Sequence, residues 1–304
     1  MAELFAAVDC GTNSVRVLVC RRDGGRTVEV DRRLQLTRLG QGVDATGRFR
    51  PDALARTLDA MADFGAELDR LGVPTSHRRV VATSAARDAA NSAEFFAGAR
   101  ARLGVDADVI PGEEEARLSF AGATSGLPGT AQPVLVMDIG GGSTELVLGS
   151  DGVCSRAVSL DVGAVRLRER FLHSDPPGPA EIAAARAQVD ALLDGSGIDF
   201  DLVATWVGVG GTATSLSALA QHLPTYDRAR VHGSVLARGD LAGLTAGLLA
   251  MPVAAVAALP TMVPGRADVI CAGALVCAAV ADRTGCDLVV SEADILDGII
   301  LQLT

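Results

Sequence analysis

The chain has 304 residues, enough for about two domains with separate cores. Its 49% hydrophobic and 21% charged residues are those of an ordinary globular protein, and its net charge of −10 argues against a general nucleic-acid or membrane-surface binder. No run of about 18 apolar residues predicts a membrane span, and "MAELFAAVDCG" has no basic leader region, so a cytoplasmic protein is expected.

In chain order, "LFAAVD" and "VRVLVCRR" flank "CGTNS" as a hairpin, and "TVEVDRRLQLTRLG" adds a third, alternating strand. A helix follows at "RPDALARTLDAMADFGAELDRLG", where Leu54, Leu58, Met61, Phe64 and Leu68 recur at helical spacing behind a Pro. "RRVVATSAARDAANSAEFFAGARARLG" reads as strand, Thr/Ser turn and helix, and "VDADVIPGEEEARLSFAGAT" repeats that order. The Gly/Pro/Ser-rich "ATSGLPGTAQP" marks a boundary, giving domains over 1–125 and 126–292, with a C-terminal helix at 293–304 that packs back on the first. The second half opens on another hairpin, "PVLVMDIGGGSTELVLG". It continues through "AVSLDVGAVRLRERF", the Pro-rich loop "HSDPPGP", a helix from about Ala180 and the strand–turn–helix "FDLVATWVGVGGTATSLSALAQHL". The apolar helix "DVICAGALVCAAVADR", the strand "CDLVVS" and the helix "ADILDGIILQL" complete it.

The two opening hairpins superpose. Asp9 falls on Asp138, Gly11 on Gly140, Asn13 on Gly142 and Ser14 on Ser143, with apolar strands on both sides. Two copies, each followed by βα units, predict two related α/β domains facing a cleft. Glycine at such a turn permits left-handed backbone and lets an anion approach the main chain, and successive N–H groups there form an anion nest. A carboxylate at the strand end does not suit a phosphate by itself. It suits one through an intervening Mg²⁺, or it orients a water. The chain has no Lys, so a phosphate clamp must use Arg, backbone N–H groups or a metal. The six cysteines show no CxxC pair and the four histidines no ligand spacing, which predicts reduced, structural thiols.

Together "AAVDCGTNSVRVLV", "ATSAARDAAN", "PGEEEARLSFAG", "VMDIGGGSTELVLG" and "WVGVGGTATSLSAL" resemble the exopolyphosphatase/guanosine pentaphosphate phosphatase family, most closely its short actinobacterial members. The resemblance implies two actin-like (RNase H-like) domains of the sugar kinase/Hsp70/actin superfamily, with Mg²⁺ or Mn²⁺ as cofactor. It implies Glu115 as the catalytic base, while Glu113 and Glu114 simply suit the positive end of a helix dipole. Arg87 would contact phosphate with its planar fork. Phosphate would be held by Gly11, Thr12, Asn13 and Ser14, by Gly140, Gly141, Gly142 and Ser143, and by Gly210, Gly211, Thr212 and Arg266; Gly208 belongs to the same strand–turn–helix. Asp138, with Glu145 and Asp9, would hold the metal. Arg166 is expected on a solvated helix face with Arg168 and Arg170, and His173 and Asp175 in a structural loop. Where many members read Leu-Arg-Glu-Gly near the C-terminus, this chain has "ILDGI", and it lacks the C-terminal helical half of the longer members. The expected activity is removal of the terminal phosphate of inorganic polyphosphate, with pppGpp the competing substrate and a homodimer conceivable. An actin-like small-molecule kinase and a non-catalytic alarmone or polyphosphate sensor are the readings from other classes.

Overall fold

The computed structural model describes residues 3–24, 26–263 and 265–304, which fall into two compact units. The first comprises residues 1–122 and 295–304, the second residues 123–294.

In the first unit β1 (Glu3–Cys10), β2 (Ser14–Asp23) and β3 (Arg26–Leu36) run antiparallel, and β4 (Arg78–Ala82) and β5 (Ala107–Val109) extend the sheet parallel to β1, in the order β3-β2-β1-β4-β5. β1 is buried on both faces, so its residues sort by parity. Ala6, Val8 and Cys10 join the cluster with Met61, Phe64 and Leu68 of α2 (Pro51–Leu71), which follows the short α1 (Val43–Thr46). Phe5 and Ala7 pack on the opposite face with Leu118, Ile295 and Ile299. The remaining helices of this unit are α3 (Ser84–Asp88), α4 (Ser92–Leu103) and α5 (Gly112–Gly126), the last continuing into the second unit.

The second unit repeats this plan. β6 (Val134–Ile139), β7 (Thr144–Ser150) and β8 (Val153–Leu160) are antiparallel. β9 (Thr205–Val209) and, later in the chain, β11 (Leu288–Val290) continue parallel to β6, with the two-residue β10 (Val235–Leu236) antiparallel at the edge. The order β8-β7-β6-β9-β11-β10 matches the first sheet strand for strand up to its added edge. The helices are α6 (Ala164–Phe171), α7 (Pro179–Asp194), α8 (Gly210–Ala220), α9 (Arg228–Val231), α10 (Arg238–Ala250), α11 (Val253–Ala257) and α12 (Ile270–Thr284). α12 is the centre of this core, buried along most of its length by small Ala, Gly and Cys side chains that let neighbours come close.

The final helix, α13 (Ile295–Leu303), belongs to the first unit and lays Ile295, Leu296, Ile299 and Ile300 on its sheet. Its "ILDGI" has a structural reason. A Cβ on Gly298 would lie 2.0 Å from the Leu118 carbonyl oxygen, so only glycine lets α13 sit this close to α5, and Asp297 accepts from Arg32 Nη2 at 2.9 Å. All six cysteines are free, as the spacing predicted, and among the described residues no helix is long and apolar enough to cross a membrane.

Candidate active site

The two hairpins share their turn. Gly11 N–H donates to Ser14 O at 2.9 Å, and Gly140 N–H donates to Ser143 O at 3.0 Å. Neither Gly11 nor Gly140 is left-handed, so positive φ is not what selects glycine there. At Gly140 a Cβ would press on Ser143 O at 3.2 Å.

The segment packed behind each turn decides where its N–H groups point. In the second unit the N-terminus of α6 donates to the turn, with Ala164 N–H on Gly140 O at 2.9 Å and Val165 and Arg166 N–H on Gly141 O at 2.9 and 3.0 Å. In a planar trans peptide the next N–H points opposite to the carbonyl. The N–H groups of Gly141 and Gly142 are therefore aimed away from α6, as an anion nest requires. Gly163 makes this docking possible, since a Cβ there would lie 2.5 Å from the Gly141 carbonyl. In the first unit Gly40 N–H takes Thr12 O, while Thr37 and Arg38 N–H take Asn13 O, which turns the Asn13 and Ser14 N–H groups outward in the same way. Thr12 itself is buried, its methyl against Gly40, and Asn13 Oδ1 is buried with no hydrogen-bond partner among the described residues.

The acids at the strand ends differ in what faces them. Asp9 lies directly across from Arg16 and accepts from its Nε at 3.0 Å and Nη2 at 2.6 Å, so its charge is met within the hairpin. Asp138 lies directly across from Glu145, and both are buried. Glu145 Oε1 accepts from Ser159 Oγ at 2.7 Å, and Ser159 is its register partner on β8. Two buried carboxylates side by side on one sheet face repel unless a cation or proton lies near them. Their oxygen-only donor set suits a hard divalent ion. Among the described residues no group of three or more His, Cys, Asp or Glu stands close enough to enclose a metal. An ion here would thus keep water or phosphate oxygens as its other ligands, which is the habit of Mg²⁺.

α8 closes on this acid. Gly210 is left-handed, with φ +75°, and a Cβ on it would lie 2.7 Å from Asp138 Oδ1. Beside it, the Arg266 guanidinium covers Gly211, where a Cβ would lie 2.4 Å from Nη2, and Arg266 Nη1 donates to Ser215 Oγ at 2.8 Å. The N-cap residue of α8, Val209, offers no side-chain cap of its own. Thr212 is different: its side chain is buried against Gly273 of α12, so that position offers its backbone and not its hydroxyl. Gly208 serves packing, because a Cβ there would meet Leu288 at 2.7 Å and Ala213 at 3.0 Å. Arg166 is not on a solvated face. Its side chain is 11% exposed, beside the glycine turn, with Nη1 3.2 Å from Asp161.

In the first unit the three glutamates of "GEEEARL" separate by partner. Glu113 pairs with Arg117 along the helix surface and Glu114 with Arg79. Glu115 alone of the three is buried, and its Oε2 accepts from Arg87 Nη1 at 3.0 Å. Arg87 Nη1 also donates to Ile110 O at 2.8 Å, so both bonds use one nitrogen and the rest of the fork is not engaged by them.

Residues 18–301 match the Ppx/GppA phosphatase family. The chain belongs to that family. "Exopolyphosphatase 2" of Mycobacterium tuberculosis is 48% identical over 98% of both chains. A solved exopolyphosphatase-like protein superposes with a TM-score of 0.94 at 40% identity, covering 99% of this chain and 97% of its own. The Ppx/GppA family member of Aquifex aeolicus gives 0.84 at 29%, covering 99% and 97%. For a Ppx/GppA phosphatase the pattern is coherent: a glycine turn with paired acids in one unit, a buried Glu115 bonded to a half-buried Arg87 in the other.

Beside Arg266 the second unit has polar residues that the motifs did not flag. Tyr226 donates to Glu292 Oε1 and Arg228 Nε to Glu292 Oε2 at 3.0 Å; Arg228 and Glu292 line a cavity of about 410 Å³ together with Gly126 and His232. Burial and then the Glu292 charge push the Tyr226 phenol well above its usual range, so it stays a donor. The Glu292 N–H donates to His232 Nδ1 at 3.1 Å, which leaves Nε2 to donate to Gly126 O at 3.0 Å.

Proposed function

We propose that this protein is an exopolyphosphatase that hydrolyses the terminal phosphoanhydride of inorganic polyphosphate and releases orthophosphate. The observation that carries the reading is the second hairpin, where outward N–H groups of Gly141 and Gly142 stand next to the buried Asp138–Glu145 pair. The name of the 48% identical relative supports the same substrate.

In this reading the glycine nest holds the equatorial oxygens of the terminal phosphoryl group by main-chain N–H donation. Asp138 and Glu145 would hold Mg²⁺, and the ion would supply positive charge against the phosphate oxygens. Arg266, kept in place by Ser215 and the bare Gly211, takes phosphates further along the chain. Arg87 offers its uncommitted nitrogens to phosphate oxygens. Glu115 accepts a proton from the water that attacks phosphorus, contributing about 10²–10⁴-fold. The rest of the acceleration is positioning and electrostatics. Asp9 is given no metal, because Arg16 already compensates it.

Orthophosphate release from polyphosphates of defined length, with pppGpp and ATP run in parallel, tests this. The proposal requires the highest kcat/KM on polyphosphate. A higher value on pppGpp would reassign the substrate, and ADP formed only with an added acceptor would make the protein a kinase.

A further inference from the structure

The two sheets permit a comparison row by row. Across the first, residues in direct register are Leu34 on β3, Arg16 on β2 and Asp9 on β1. Across the second, the equivalent row is Ser159 on β8, Glu145 on β7 and Asp138 on β6. The same three positions thus hold an apolar residue, a cation and an acid in one unit, and a hydroxyl, an acid and an acid in the other. In the first row Arg16 donates to Asp9, and Leu34 on the outer strand is 43% exposed. In the second row the middle residue is a glutamate with several rotatable bonds, buried to 1% beside a like charge. Its flexible side chain has several rotamers open to it. The Ser159 hydroxyl selects among them by donating to Oε1 at 2.7 Å from the neighbouring strand.

We infer that Ser159 is a positioning residue: its hydroxyl fixes the rotamer of the Glu145 carboxylate, one of the two acids that would share a divalent cation. This rests on the metal placement at Asp138 and Glu145 and adds a third strand to it. A hydroxyl suits the task because it can donate to the carboxylate without neutralising it, which an Arg at the same place would do. The duplicated hairpins have then diverged into one row that balances its own charge and one that is completed by a cation.

The test uses the full chain and three variants, Ser159→Ala, Ser159→Thr and Asp138→Asn. Mn²⁺ binding is followed by electron paramagnetic resonance without substrate, and the Mg²⁺ concentration for half-maximal activity is measured at saturating polyphosphate. Loss of a group that orients a metal ligand typically costs 10–100-fold in metal affinity. Ser159→Ala is therefore expected to weaken Mn²⁺ about 10-fold and raise the Mg²⁺ requirement similarly, with KM for polyphosphate little changed. Ser159→Thr, which restores the hydroxyl on a strand that favours β-branching, is expected to recover binding to within about 3-fold. If Ser159→Ala binds Mn²⁺ within about 2-fold of the wild type while Asp138→Asn loses it, the inference fails and the metal placement stands. If Asp138→Asn also leaves Mn²⁺ binding unchanged, the metal placement itself fails and the inference with it.

Discussion

Gly210→Ala gives a direct measure of how tightly α8 is fitted to the acid it covers. The substitution carries two costs. At φ +75° an L-residue is strained by about 1–2 kcal/mol, which for a unit of this size is a fall in Tm of roughly 3–6 °C. Separately, the new methyl would stand 2.7 Å from Asp138 Oδ1, whereas ordinary contact begins near 3.4 Å, so the carboxylate or the helix must retreat by 3.4 − 2.7 = 0.7 Å. A displacement of about 1 Å at a reacting centre can cost about 10²-fold, so kcat/KM on polyphosphate should drop about 10- to 100-fold, with a raised Mg²⁺ requirement. The assay is orthophosphate release across a Mg²⁺ titration, read beside a thermal melt. Gly243→Ala is the control: on the exposed side of α10 nothing lies within 4 Å of the added methyl, so it should stabilise by up to about 1 kcal/mol and leave turnover alone. If Gly210→Ala lost stability but kept more than half of its kcat/KM with an unchanged Mg²⁺ response, Asp138 would not act in catalysis from its place beneath α8.

Glu115→Gln should lower kcat by about 10²–10⁴-fold while a fluorescence or calorimetric titration still shows polyphosphate binding; more than a tenth of wild-type kcat would remove Glu115 as the base. Gly298→Ala drives a methyl to 2.0 Å from Leu118 O and should destabilise the protein by about 3 kcal/mol in urea unfolding, whereas a loss below about 1 kcal/mol would mean that α13 slides without cost. Glu181 accepts from the N–H groups of Gly178, His173 and Ser174 at the start of α7, and these bonds hold its carboxyl below the usual range. A lowered folded value means its contribution is present in full above the unfolded value of about 4.3 and is lost as pH falls through the folded one. The Tm gap between wild type and Glu181→Gln should therefore be constant from pH 7 to about 5 and close below about 4.3; a gap that widens on acidification would contradict the cap.

Much of the second hairpin could be read from residues alone. Its Asp, first glycine and Ser recur in the first half at the same spacing, and that repeat extends to the order of five strands in each sheet. The singling out of Glu115 from its two neighbours also has a structural counterpart, in burial and in the Arg87 contact. What the sequence did not disclose is pairing across strands. Asp9 and Asp138 look alike in an overlay, and only the partner seven residues on, Arg16 in one and Glu145 in the other, separates an acid faced by a cation from an acid faced by a second acid. Gly208 and Gly210 stand two apart in one motif, yet one serves packing against Leu288 and the other the approach to Asp138, a distinction that needs three dimensions. Arg166 was hidden by its charged neighbours, although it stands only three residues after the glycine that docks α6 on the nest. The segment from residue 225 to 263 carried no motif, but Leu241, Thr245, Leu248 and Leu249 recur at helical spacing and mark α10.

The central claim is that water attacks the last phosphorus of a polyphosphate chain. Turnover in H₂¹⁸O tests it most directly, with mass spectrometry of the orthophosphate and of the shortened chain. The account predicts about one ¹⁸O in each orthophosphate released and none in the chain that remains, as in-line attack of water on the terminal phosphoryl group requires. Label found at the new chain end, or phosphate leaving without label because an acceptor other than water took it, would contradict the account.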